Sequence, residues 1–392
     1  MNIDPRQLLT AIAGPPLPDR LPPVVGMMMR LYRLELRYAL DQIKATNPAM
    51  TAGVYIDIVD ELAFNALAYA NEKAELVGIN AGVAAALPLI ANWLLSQPGS
   101  YTEIGDCSQE IKPSRFDGGI LRYSGKASTA PDSLWPKHAA QPRDAARRHF
   151  VTYMTTVPWH FLLYHELAHI MRCHLWYISD ISKKPTTAWF ELGSSGLTEK
   201  ECQTRRILEV DADGVAGRIL SGAPILNGLE KTRMIAFGEG NAGVPKWDWP
   251  AAYRNWLRPI GFLFQMMAVL ECNIGIADRQ RTHPHPDIRM QVLVNSIWPQ
   301  WRKVIPDRGH FVELTREASR EMQDIVRIGI LPNPPSRTDE AYKDSFADEF
   351  HELWESLHDC AGDLNALTEK RFERKRAQLK DEMGCSETGR RL

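Results

Sequence analysis

No C-x-x-C pair occurs in these 392 residues, although six cysteines are present, at 107, 173, 202, 272, 360 and 385. That absence excludes a cysteine zinc finger and a thioredoxin-like redox site. Scattered, unpaired thiols in a chain of this size fit a reducing compartment, so a cytoplasmic protein is expected. An excess of either charge is missing too: the net charge is −2. Bulk electrostatics therefore point to neither nucleic acid nor an anionic membrane surface as partner. The opening stretch, MNIDPRQLLTAIAGPPLPDRLPP, lacks the basic start and apolar run of a signal peptide, so none is expected.

Long hydrophobic runs are scarce. AGVAAALPLIANWLL (81–95) is too short to cross a bilayer. PIGFLFQMMAVLECNIGIA (259–277) is interrupted by Gln265, Glu271 and Asn273, whose polar groups are costly in lipid. Both read as buried helices, and no membrane span is expected. With 44% hydrophobic and 24% charged residues, the chain can bury a sizeable core.

Strand signals are confined to one region. Apolar residues alternate at Val54, Ile56 and Ile58, a turn falls near Asn71-Glu72-Lys73, and Glu75 to Asn80 is strand-like. Elsewhere the period is helical, over about 24–45, 81–95, 143–178, 200–220, 249–278, 285–300, 312–328 and 339–382. Pro158 is expected to kink the helix that follows or to start it. Residues 97–142, rich in Pro, Gly and Ser, read as an insert or lid. The expected fold is α+β and mostly helical. Its expected parts are a Pro-rich segment and helix (1–50), a central domain (51–305) and a helical C-terminal appendix (306–392) beginning near the break LPNPPSRTD.

The chemistry concentrates in LYHELAHIMRCH, Leu163 to His174, which contains His165, Glu166 and His169 as His-Glu-x-x-His. Four residues apart on a helix, the two imidazoles share a face and can meet one zinc ion. Glu166 is rotated aside, placed to take a proton from water at the metal. Two histidines cannot hold a catalytic zinc, which takes three protein ligands. The third is sought in RRILEVDADGVAGRIL (205–220), where Glu209 and Asp213 share a face and Asp211 points away. One carboxylate can bind metal while the other steadies a histidine's far nitrogen. Downstream, His283 before Pro284 is a candidate hydrogen-bond donor to an oxyanion. Arg289 can pair with an acidic residue of the site or clamp a substrate carboxylate. Cys173 and His174 read as ordinary helix positions.

Taken together, His165-Glu166-Leu167-Ala168-His169, Glu209-Val210-Asp211-Ala212-Asp213 and Thr282-His283-Pro284 with Arg289 resemble the motifs of glutamate-liganded zinc peptidases. The resemblance is to the HtpX-like peptidases, and most to the soluble Lit-type phage-exclusion peptidases. It implies a zincin-like core, Zn²⁺ held by His165, His169 and Glu209, Glu166 as base, and Asp213 behind a ligand. It further implies that Glu75 to Asn80 is an edge strand, with Val77, Ile79 and Asn80 taking up an extended peptide by main-chain pairing. The implied activity is a soluble endopeptidase acting on a protein or peptide, as a toxin or antiphage enzyme. The competing expectation is a regulatory protein that keeps a structural zinc site and binds a partner through its C-terminal helices.

Overall fold

The computed structural model describes residues 4–18, 23–46, 48–111, 125–130, 141–182, 188–190, 197–237, 247–274, 282–329 and 340–388. The elements run α1 (Pro5–Ala13), α2 (Pro23–Thr46), α3 (Pro48–Thr51), β1 (Val54–Val59), β2 (Ala66–Ala70), β3 (Glu75–Asn80) and α4 (Ala81–Leu95). After two short 3₁₀ turns come α5 (Ala145–Met171), α6 (His174–Ser182), β4 (Ala188–Phe190), α7 (Glu199–Asn227) and α8 (Leu229–Phe237). The chain continues through α9 (Trp249–Ile274), α10 (Pro286–Trp301), α11 (Arg308–Gly329) and α12 (Glu340–Thr388). It is mostly helical with one small sheet, and no helix among the described residues is long and apolar enough to cross a membrane.

The sheet corrects one expectation. Its order is β1-β3-β2-β4, with β1 parallel to β3 and the other pairs antiparallel. Glu75 to Asn80 is therefore an interior strand. Val77 pairs with Ile56 on one side and Ala68 on the other, so its main-chain groups are spent within the sheet. Val77 and Ile79 are fully buried, and the Asn80 side chain donates to the Ala63 carbonyl. No peptide can add along β3. Among the described residues the sheet edges are β1 and the three-residue β4.

Local signals explain the helices that frame the site. Asp144 caps α5 by accepting from the Arg147 amide, and Pro158 lies inside a helix that continues through it. Thr198 and Glu201 form a reciprocal capping box at the start of α7. Small residues then set how near α10 can lie: a Cβ on Gly217 would meet Leu293 Cδ1 at 2.1 Å, and one on Gly214 would meet Ser296 Oγ at 2.7 Å. Any larger residue at Gly217 would push α10, which carries Arg289, away from α7, which carries Glu209 and Asp213. From the other side, Tyr32 of α2 packs its ring 4.6 Å from that of Trp159, and Glu35 meets His160 at 3.1 Å.

The described parts of 97–142 are tied down. Arg147, wholly buried, donates to the carbonyls of Leu95, Gln97, Ser100, Tyr101 and Ile104. Ser128 is held by Asp60 and the Gly125 amide by Glu61. The remainder of that stretch, 112–124 and 131–140, lies outside the described residues.

Helix α12 is built into the core. Leu353 packs with Val210, Ile288 and Val292. Past its middle Arg371 makes a two-pronged ion pair with Glu75 of β3, at 2.9 and 2.7 Å, with both side chains buried. Lys375 Nζ, 3.2 Å from the same carboxylate, would remain as a partner, so Arg371→Met is expected to cost about 1.5–3 kcal/mol, the loss of charged hydrogen bonds. Urea unfolding measures it, and a loss below about 1 kcal/mol would mean that the pair does not hold α12.

Candidate metal centre

Helix α5 delivers His165 and His169 to one point, and α7 delivers Glu209 to the same point from the facing side. The Nε2 atoms of the histidines are 3.1 Å apart. His165 Nε2 lies 3.1 Å from Glu209 Oε2, and His169 Nε2 lies 3.5 Å from Glu209 Oε1. One atom from each of the three residues falls within 4.8 Å of the others, and all three side chains are fully buried. An ion bound at about 2.0–2.1 Å with tetrahedral angles would set its donors roughly 3.3 Å apart. The spacing fits.

Hydrogen-bond bookkeeping tests that fit independently. His165 Nδ1 sits 2.9 Å from Asp213 Oδ1, and a carboxylate only accepts, so this contact favours a proton on Nδ1. Asp213 is itself clamped by Arg289 through two contacts of 2.8 Å. On the other branch, His174 Nε2 donates to Asp211 Oδ2 at 3.0 Å. His174 Nδ1 therefore accepts, and at 2.9 Å its donor is His169 Nδ1. Both clustered imidazoles thus have Nδ1 engaged and Nε2 turned to the Glu209 carboxylate, which Nε2 can meet as a donor when protonated or face as a lone pair. In the second state three electron pairs would converge in a dry pocket, an arrangement that a cation relieves.

This second branch overturns the reading of Cys173 and His174 as ordinary helix positions. The motif helix ends at Met171, Cys173 takes a left-handed φ of 60°, and α6 restarts at His174. That sharp break turns the fully buried His174 ring back onto His169, the ring centroids 4.9 Å apart. Asp211, expected to point away from the site, closes the branch: Arg172 Nε pairs with it at 2.8 Å and Arg172 Nη1 donates to Asn365 of α12. A histidine five positions beyond His169 was the one visible signal of this branch.

The other expected residues also assemble. His283 Nε2 is 3.3 Å from Glu209 Oε2, so it lies on the Glu209 carboxylate, close to the cluster. Arg289 takes the first of its two expected roles, holding Asp213, and its guanidinium covers the Phe264 ring at 4.4 Å. Glu166 is fully buried beside His165. Val77, Ile79 and Asn80 belong to the sheet interior described above.

Charge states follow from the surroundings. Burial alone would raise the Glu209 carboxyl, but the adjoining His283, His165 and His169 outweigh it and hold Glu209 well below the ordinary carboxylate range. Burial would raise Asp211 too, and its bonds to His174 and Arg172 reverse the shift, leaving it lowered. Burial lowers His174 below its ordinary 6.5 despite Asp211, which favours the neutral ring the hydrogen-bond chain requires.

A pH dependence follows for metal-free protein. Below 6.5 the unfolded His174 gains a proton that the folded one refuses, so the unfolded state holds more protons and stability falls with acidification. Glu209 and Asp211, depressed in the fold, contribute stability above their ordinary 4.5 and 3.8 and lose it as pH drops below those values. Urea midpoints from pH 8 to pH 4 should thus decline in two stages. His174→Asn should abolish the first stage; an unchanged decline between 6.5 and 5 in that variant would refute the assignment.

No family model, no curated protein and no solved structure matches this chain.

Proposed function

We propose that the chain is a zinc-dependent endopeptidase with a zincin-like core. The observation that carries the reading is the convergence of two Nε2 atoms and the Glu209 carboxylate beside the buried Glu166. His165, His169 and Glu209 would hold the ion. When bound, zinc supplies Lewis acidity, lowering the pKa of a water and polarising a peptide carbonyl.

The protein's own groups do the rest. Glu166 accepts the proton of the attacking water and passes it to the departing amine. His283 steadies developing negative charge by turning its Nε2–H from Glu209, 3.3 Å away, toward the carbonyl oxygen. Asp213 and His174 keep the ligand rings in the tautomer that leaves Nε2 open to metal, while Arg289 and Arg172 anchor the two chains. The edge-strand route for substrate is dropped, because β3 is interior. A cytoplasmic toxin or antiphage role belongs to this proposal and rests on the motif resemblance alone.

One observation favours the second reading, a structural zinc in a regulatory protein: His165, Glu166, His169 and Glu209 are all fully buried. Catalytic sites keep a position open to substrate, whereas structural sites are closed. The two readings separate in cells by mass spectrometry of new protein termini, comparing wild type with Glu166→Gln. New termini in wild type alone support the peptidase. Bound zinc with no new termini in either supports the structural reading.

A further inference from the structure

On the side of α10 turned away from Arg289, Gln291, Val294, Asn295 and Trp298 form one stripe at helical spacing. Helix α11 lies across from this stripe, and between the two helices is a cavity of about 80 Å³. Its walls are apolar. Val294 and Phe311 are buried, Trp298 and Val312 are half-buried, and the ring centroids of Trp298 and Phe311 stand 4.8 Å apart. The Thr315 hydroxyl is already engaged, with the Phe311 carbonyl at 3.0 Å and Tyr253 Oη at 2.8 Å. Polar groups free to meet a ligand stand at the rim.

Size decides what this cavity can take. Sites for small molecules and cofactors run to roughly 300–1,000 Å³. A volume of about 80 Å³ suits a single apolar side chain, the anchor of a larger partner whose remainder stays outside. The rim specifies that remainder. Gln291 and Asn295 are one turn apart, and neither carboxamide makes a hydrogen bond among the described residues. Each offers an N–H donor and a carbonyl acceptor, the two groups an extended main chain pairs with. From Gln291 to Trp298 the stripe runs about 10 Å, the length of three extended residues.

At the Trp298 end stands Arg308, exposed and with no ion pair or hydrogen bond among the described residues. The carboxylates beside it in the chain are engaged elsewhere. Asp307 caps α11 by accepting from the Gly309 and His310 amides at 2.7 and 3.2 Å. Glu313 pairs with Arg316 at 2.5 Å, and Glu317 with Arg254 at 3.1 Å. A guanidinium at the edge of an apolar slot matches a carboxylate carried next to an apolar side chain. In a polypeptide one residue carries both of these groups at the C-terminus alone.

From this arrangement we infer that the α10–α11 groove binds the C-terminus of a partner polypeptide ending in an apolar residue. The last side chain fills the slot, the terminal carboxylate meets Arg308, and the preceding main chain runs along Asn295 and Gln291. The groove lies on the other side of α10 from Arg289, which reaches Asp213, and it does not depend on the peptidase reading.

Fluorescence polarisation of the full chain with three labelled hexapeptides tests it. The probes are Gly-Ser-Gly-Ser-Val-Leu as the free acid, the same peptide as its C-terminal amide, and Gly-Ser-Gly-Ser-Val-Ser as the free acid. The leucine acid should bind saturably, and more weakly as salt rises. The amide should bind at least about tenfold more weakly for want of the charge-assisted contact, and the serine acid likewise for want of an anchor. Arg308→Glu should weaken the leucine acid by at least about tenfold and leave the affinity of the amide unchanged, a split that unfolding would not produce. Arg308→Gln, which removes the charge without reversing it, repeats the test. The inference is overturned by absence of saturable binding of the leucine acid, by equal affinities for acid and amide or for the leucine and serine acids, or by unchanged affinity in both variants. N-acetyl-leucine bound as tightly as the hexapeptide would overturn it too, making the ligand a small acid.

Discussion

Replacing Glu166 by glutamine is expected to leave the zinc content unchanged and to slow cleavage about 10²–10⁴-fold, the usual contribution of a positioned general base. The substitution keeps the shape of a side chain that is fully buried, so packing is preserved. What disappears is the capacity to take up a proton, since an amide is not basic near neutral pH. Glu166 is also not one of the three clustered donors, so metal affinity should survive. Metal analysis and terminal-peptide mass spectrometry on the same preparation check both halves. Cleavage at the wild-type rate would remove Glu166 from its role, and lost zinc would make it a ligand.

Stripping the metal is the second large effect. An ion that binds only the folded chain stabilises it by about 4 kcal/mol when present at roughly 1,000 times its dissociation constant. Chelation of wild type should therefore lower unfolding free energy by that order. His165→Ala should abolish stoichiometric zinc and reproduce the loss without chelator. It should also make the protein insensitive to chelation, because the effect has already been taken. The variant carries its own penalty beyond the metal: Asp213 loses its 2.9 Å partner and a cavity opens in α5. Wild-type protein whose stability does not respond to chelator or to added zinc would show that the three donors hold hydrogen bonds rather than an ion.

Much of this centre was readable from residue spacing because helices obey simple arithmetic. His165 and His169 on α5, and Glu209 and Asp213 on α7, are each four apart and point the same way in the structure. The boundaries of α4 and the start of α9 were legible for the same reason. His174 and Asp211 were not. Periodicity carries α5 straight on, and only the left-handed turn at Cys173 re-aims His174. Asp211, two residues from Glu209, faces away from the three clustered donors, and it matters because His174 and Arg172 reach round to it.

The sheet shows the limit of local pattern in another way. The turn near Asn71 to Lys73 was visible, but strand order is a long-range fact. The parallel pairing of β1 with β3 puts Glu75 to Asn80 in the interior. β4, three residues long, has too little length for any alternation to register. Helices α1 and α8, nine residues each, escaped for a related reason: they make about two and a half turns.

The pairing of Arg371 with Glu75 bears on how this chain can be shortened. A version ending before residue 340 would not be the same protein minus a tail. It would leave a carboxylate buried in the interior strand without its guanidinium, and Arg172 without Asn365 at the far end of the Asp211–His174–His169 branch. A weakened sheet and a loosened ligand ring would then arrive together, and lost activity in such a deletion would say nothing about a partner for the C-terminal helix. Point substitutions on the outer face of α12 are the cleaner instrument, since they keep both attachments in place.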